Sequence, residues 1–289
     1  MEENSSTKVS SDLKDDKILF YLLYPNGNSF DGNICLFDST SHSVDKISKF
    51  IGRPWTYEVV TTSDRIYSID YHNRKFEILD LKNRRPIEGP NPPEFRKLAS
   101  VAYLNEKLYY LGGYSLNSSQ SLRQFNIFSN NKWRKGSNLK ASNSLKMLYS
   151  VVGEGKLYLI DGKDNRKIFR LSDDEKELID IGELDENREN FAVASLNGKL
   201  YVTGGIDDST ILKSCECIDL QTSPVKKVIK IANMNHRRFH HSLVVVSGKL
   251  YAIGGYQSIN SARRFEDYCY EIEEYDQEYD KWSTVGKID

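Results

Sequence analysis

The chain is poor in the residues that staple, break or metallate a fold. Four cysteines, seven prolines, five histidines and three tryptophans are spread over 289 residues. Cys35, Cys215, Cys217 and Cys269 form neither a CxxC pair nor a dense framework, which argues against a disulfide-stapled scaffold and leaves packing thiols. Cys215 and Cys217, two steps apart in a strand-like run, fall on one sheet face, and no nearby His or Cys completes a zinc set. No run of about 18 apolar residues occurs, and Met1-Glu2-Glu3-Asn4-Ser5-Ser6 lacks the basic-then-apolar order of a secretory leader. Neither a membrane span nor export is expected, so the cytoplasm is the expected compartment. Net charge is −1, which gives no electrostatic reason to expect nucleic acid as a partner. A Walker loop, a GxGxxG after a strand and an HExxH helix are all missing.

What the chain has instead is a recurring strand. A basic residue, a branched aliphatic and a tyrosine open an apolar run at Arg65-Ile66-Tyr67, Lys107-Leu108-Tyr109, Lys156-Leu157-Tyr158, Lys199-Leu200-Tyr201 and Lys249-Leu250-Tyr251. Lys17-Ile18-Leu19-Phe20 is a weaker sixth copy, and the steps between copies are roughly 42 to 50 residues. A period of that length marks a structural unit copied about six times.

The last unit shows what is being copied. Ser242 to Val246 is a β-branched run, Ser247-Gly248 a turn, and Lys249 to Ile253 a second strand ending at Gly254-Gly255. After a polar loop from Tyr256 to about Asp267, alternation through Tyr268, Tyr270, Ile272 and Tyr275 predicts a third strand. Asp276 to Lys281 turns the chain, and Trp282 starts a fourth. Four short antiparallel strands at even spacing describe a blade of an all-β, six-bladed β-propeller, with units starting near residues 17, 55, 96, 146, 188 and 237. Residues 1–16 form a polar tail, and 17–289 one propeller. The tyrosines are expected to pack between adjacent sheets, and the double glycines to let backbone approach closely.

With Met234 and Arg237-Arg238 before the first strand, Gly248 in the turn, Gly254-Gly255 after the Tyr251 strand, and Tyr275-Asp276 leading to Trp282, the chain resembles the kelch repeat. The resemblance runs over about residues 17–289. It departs at Tyr24-Pro25, Ile69-Asp70 and Asp161-Gly162, which stand where a double glycine belongs. No first strand is evident in unit one. Thr7 to Leu13, a continuation beyond Asp289, or a three-stranded blade would each account for it.

In a propeller, loops gather at the two ends of a central channel. The loops entering the first strand carry Arg53, Arg96, Arg188 and the pair Arg237-Arg238, with Lys146 near that place in unit four. Resemblance to kelch proteins implies that such arginines line a partner face. Trp55, Phe239, Tyr114, Tyr256 and His236 lie beside them, and Arg with aromatics is the composition of interface hot spots. The competing reading has these arginines capping carbonyls inside the fold, which a fork of five donors suits equally. Acidic runs at Asp173 to Glu177 and Glu271 to Glu274 read as solvated. The expectation is a noncatalytic module, without metal or cofactor, that binds an unidentified protein or peptide. Adaptor work for a ubiquitin ligase, or actin binding, is implied by the resemblance alone. The alternative is an enzyme acting on a sugar or other small molecule in the central channel, for which His236, His240 and His241 are the natural metal candidates. Adjacent His240 and His241 would point to opposite sides of a strand, and no paired carboxylates or nucleophile motif accompany them.

Overall fold

A computed structural model describes residues 16–26, 29–50, 57–83, 85–117, 124–138, 148–162, 166–222, 227–258 and 267–288. The expected Thr7 to Leu13 strand, Arg53, Trp55 and Lys146 lie outside them. No α-helix occurs among the described residues, so none is long and apolar enough to cross a membrane.

The chain forms the six expected blades. Blade one pairs Lys17–Asn26, Ser29–Asp38 and Ser43–Phe50 in a three-stranded antiparallel sheet. The other five each carry four consecutive antiparallel strands. Their first strands are Tyr57–Thr61, Ser100–Leu104, Leu148–Gly153, Ala192–Leu196 and Ser242–Val246. Each of these touches the first strand of the neighbouring blade, and Lys17–Asn26 lies against those of blades six and two. Alternation along this strand does the joining. Phe20 and Leu22 enter the core shared with Val244 and Tyr251 of blade six, whereas Leu19 joins Ile66 of blade two.

The first hairpin of a blade is tight because its two central residues accept a left-handed backbone. Ser247 and Gly248 have φ of 51° and 71°, and Asn197 and Gly198 have φ of 51° and 71°. In blades two, five and six the third strand ends on an aspartate whose carboxylate closes the next turn. Asp276 Oδ1 accepts from the amides of Glu278 and Tyr279 at 2.9 and 3.1 Å.

The recurring tyrosine is buried in every described four-stranded blade and reaches forward into the next. Tyr67 stacks on Tyr103 at 5.4 Å, Tyr201 donates to Gln277 at 3.1 Å, and Tyr251 packs edge-on against Phe37 at 4.8 Å. Tyr109 donates to Glu175 of blade four at 2.7 Å. The tryptophans tie backward instead. Trp133 donates to the Pro90 carbonyl at 2.6 Å and Trp282 to that of Ala232 at 3.0 Å, each in the linker from the preceding blade.

Glu175 also accepts from Lys107 at 2.7 Å and Arg134 at 2.6 Å, so this member of an acidic run is an inter-blade clasp rather than a solvated charge. Burial alone would raise its pKa, but the hydrogen bonds from Lys107, Tyr109 and Arg134 outweigh it and hold the carboxyl at about 2, below its ordinary 4.5. A lowered carboxylate contributes stability above its unfolded pKa and loses it on acidification. Glu175→Gln is therefore expected to cost about 1–3 kcal/mol at neutral pH. In urea unfolding measured over a pH series, the gap to the parent should close between pH 4.5 and about 2. A gap that stays constant with pH would refute the clasp.

Candidate functional site

The loops entering the first strands of blades three, five and six are shaped from inside. In blade six, Met234 is buried and pins the start. The amides of Asn235 and His236 then donate to the Glu273 carboxylate at 2.6 and 3.1 Å. Arg238 completes the knot: Nη2 meets Glu273 at 2.7 Å, and Nη1 donates to the carbonyls of Glu271 at 3.0 Å and Gly254 at 3.1 Å. Blade five repeats it with Leu184 as the pin and the amides of Asp185 and Glu186 on Glu216. Arg188 bridges Glu216 at 2.6 Å and the Gly204 carbonyl at 2.7 Å. In blade three an amide replaces the carboxylate. Arg96 takes the Gln124 carbonyl at 2.7 Å and Asn126 Oδ1, with its guanidinium 5.0 Å from the Tyr110 ring.

These contacts correct the expected partner face. Arg96, Arg188 and Arg238 are 2%, 1% and 0% exposed, with their forks committed to carbonyls and carboxylates of their own blades. They cap strands, because unpaired carbonyls at the end of a buried strand must find donors. Tyr256 is also buried, since it bridges as a short strand to Phe239 and packs on Tyr268 at 5.9 Å. The residues left facing outward are Arg237, which is exposed, and Tyr114, His236 and Phe239, which are half-buried. Glu216 and Glu273 were missed by sequence reasoning, and Glu273 corrects the reading of Glu271 to Glu274 as solvated throughout. Their signal was a glutamate inside an apolar strand, between Cys215 and Cys217 in one case and one step after Ile272 in the other.

The two loop sets meet on one face. The residue after the arginine pairs with the residue after the double glycine: Lys97 with Tyr114, Glu189 with Ile206, and Phe239 with Tyr256. Blade four has no such pairing among the described residues, and beside it lies a pocket of about 260 Å³, open solvent included. Asn187, Glu189, Asp207 and Asp208 line it with Gly162. Next to it, the amide of His240 donates to the Asn190 carbonyl at 2.8 Å, joining the loops of blades six and five. On blade six Phe239, His240, Tyr256, Tyr268 and Tyr270 form a continuous aromatic run with successive ring centroids 5.0 to 6.5 Å apart.

Titratable groups that sequence reasoning passed over sit deeper. Glu58, on the first strand of blade two, is pushed by burial up to about 8, above its ordinary 4.5. All four cysteines are free and buried, and burial pushes Cys215 up to about 12, as packing thiols require. His241 spends Nε2 on Thr203 at 2.8 Å, and among the described residues no group of His, Cys, Asp and Glu is placed to share a metal ion.

Comparison with known proteins follows this geometry. The Kelch motif matches residues 187–223 and 237–287, the stretches that carry the Arg188–Glu216 and Arg238–Glu273 knots. A search of curated protein sequences gives no match. Among solved structures, YjhT is similar with a TM-score of 0.68 and 16% identity over 81% of this chain and 84% of its own. A fungal alcohol oxidase described in complex with copper has a TM-score of 0.65 and 16% identity over 94% of this chain and 63% of its own. At that identity the likeness shows the fold alone. It nonetheless corrects the expectation of a noncatalytic chain, because an oxidase is among the proteins built on this architecture. Six antiparallel blades make the chain a β-propeller, and its last two blades carry the Kelch motif.

Proposed function

We propose that this propeller binds a protein or peptide partner through the loop face of blades five and six. One observation carries the reading. The loop that displays Arg237 outward, with His236 and Phe239 half-buried beside it, is held from below by the buried Arg238–Glu273 pair. Recognition side chains on a rigid base bind with little ordering cost, and Arg with aromatics is what interface centres favour. Two partly exposed rings, Phe239 and Tyr270, extend the surface along blade six.

The test compares captured partners, identified by mass spectrometry, for the parent chain, for Arg237→Glu on the face, and for Ile87→Glu on the outermost strand of blade two. Both positions are exposed, so melting temperatures should stay within a degree or two. A partner lost by Arg237→Glu and kept by Ile87→Glu is expected, with affinity down about tenfold or more, equal to about 1.4 kcal/mol. Equal retention by both variants would sink the reading. Turnover of a small molecule by the parent chain, unaffected by Arg237→Glu, would count against it in favour of channel chemistry.

A further inference from the structure

His241 stands at the joint between blades five and six, and its surroundings leave it no slack. The ring is 7% exposed. Its Nε2 is 2.8 Å from the Oγ1 of Thr203, the last residue of blade five's second strand, and its buried Nδ1 has no hydrogen-bond partner among the described residues. This holds for either neutral tautomer: one nitrogen is satisfied by the hydroxyl, the other by nothing. The wall around it is backbone. A Cβ on Gly204 would lie 2.9 Å from the imidazole Cε1, and one on Gly255 would lie 2.7 Å from the His241 Cβ. Both glycine turns therefore lie close against the His241 side chain.

The charged groups around it are one-sided. Arg238 on its own loop and Arg188 from blade five both oppose a positive imidazole, as does neighbouring His240. Their counter-charges, Glu273 and Glu216, are already taken up by the two guanidiniums and by the loop amides. Burial first, and these cations second, hold the His241 pKa well below 6.5. Protonation would place a second N–H donor against no acceptor, beside two arginines.

We infer that His241 is an acid-sensitive latch between blades five and six, and that taking up a proton there opens the loop carrying the aromatic face. Beyond the Arg238–Glu273 knot at its base, the loop is tied to its neighbours here by backbone bonds. The Arg238 carbonyl accepts from the Gly205 amide at 2.9 Å, the His240 amide donates to Asn190 at 2.8 Å, and Phe239 exchanges backbone bonds with Tyr256 at 2.9 and 3.1 Å. All three contacts flank the imidazole and must shift if it leaves. The sign follows from linkage: the closed form excludes the proton and the open form accepts it near the ordinary value. The latch is therefore fully closed above about pH 6.5 and loosens below it, by about tenfold per pH unit once the open form titrates. Release of a bound partner on acidification rests on the reading proposed above, whereas the opening itself does not.

Hydrogen exchange of the intact chain, corrected for the intrinsic pH effect on amide exchange, tests this without a partner. Between pH 7.5 and 5.5, segments covering residues 203–206 and 236–243 should lose about tenfold in protection, while blade three loses little. His241→Gln retains an amide for Thr203 but cannot take up the proton, so it should abolish the local loss. A loss that is absent or spread evenly over all blades, or that survives in His241→Gln, overturns the latch. Should that variant fail to fold, NMR titration of the His241 ring in the parent chain decides. A ring that stays neutral well below pH 6.5 while these segments lose protection upholds the inference, and a ring that titrates near 6.5 refutes it.

Discussion

Arg238→Ala is expected to destabilise the propeller by about 3–5 kcal/mol, lowering its melting temperature by on the order of 10 °C. The cost comes from what stays behind. Glu273 is 0% exposed and would lose the Arg238 guanidinium, while the carbonyls of Gly254 and Glu271 would lose a donor. A buried pair is not by itself a large source of stability, since desolvation cancels much of its attraction. That distinction can be measured within this chain, because blade four already does without it. Phe169 occupies there the register place that Glu216 holds in blade five. The double variant Arg238→Met with Glu273→Phe is thus expected to lose less than either single change, in urea unfolding followed by tryptophan fluorescence. A near-neutral Arg238→Ala that still abolished partner capture would restore the arginine to the binding face.

Gly255→Ala is the second large effect. Its φ of 88° lies in the left-handed region, and a Cβ would stand 2.6 Å from the Phe239 carbonyl oxygen. The same approach recurs at Gly113 against Lys97 and at Gly205 against Glu189, at 2.7 and 2.8 Å. It recurs because the residue after the arginine must come close to pair with the residue after the glycines. Backbone strain of about 1–3 kcal/mol and a clash of similar size add to about 2–6 kcal/mol. Gly248→Ala is the control, since its φ is 71° but nothing lies within 4 Å of the added carbon. It should show the strain alone, about 1–2 kcal/mol. Equal losses at the two positions would mean that the close approach contributes nothing.

These two residue types mark what could and could not be read from the chain. Tyrosine, double glycine and the Ser247-Gly248 turn are local signals, because each is dictated by the strand or turn in which it sits, so the blades and their strands were legible. Arg188 and Arg238 were legible as recurring loop residues but not as buried ones. A cation beside aromatics looks the same on a surface and under it. What decides is the carboxylate, and it lies 28 residues on in blade five and 35 in blade six, because the intervening loop differs in length. The pocket beside blade four was illegible for a related reason: it is made by a neighbour's loop, beside a blade that shows no such pairing among the described residues. His241 looked like one of a histidine pair on a strand, whereas His240 takes a left-handed φ of 52°, so the pair does not follow strand alternation.

The forward reach of the tyrosines gives the ring a direction. Each of blades two to six covers its ring with a surface belonging to its successor, from Tyr67 on blade three to Tyr251 on blade one. A blade that melts therefore uncovers the tyrosine of the one before it, and the damage travels against the order of the chain. Blades joined this way should not come apart singly, so unfolding should proceed as one event along them.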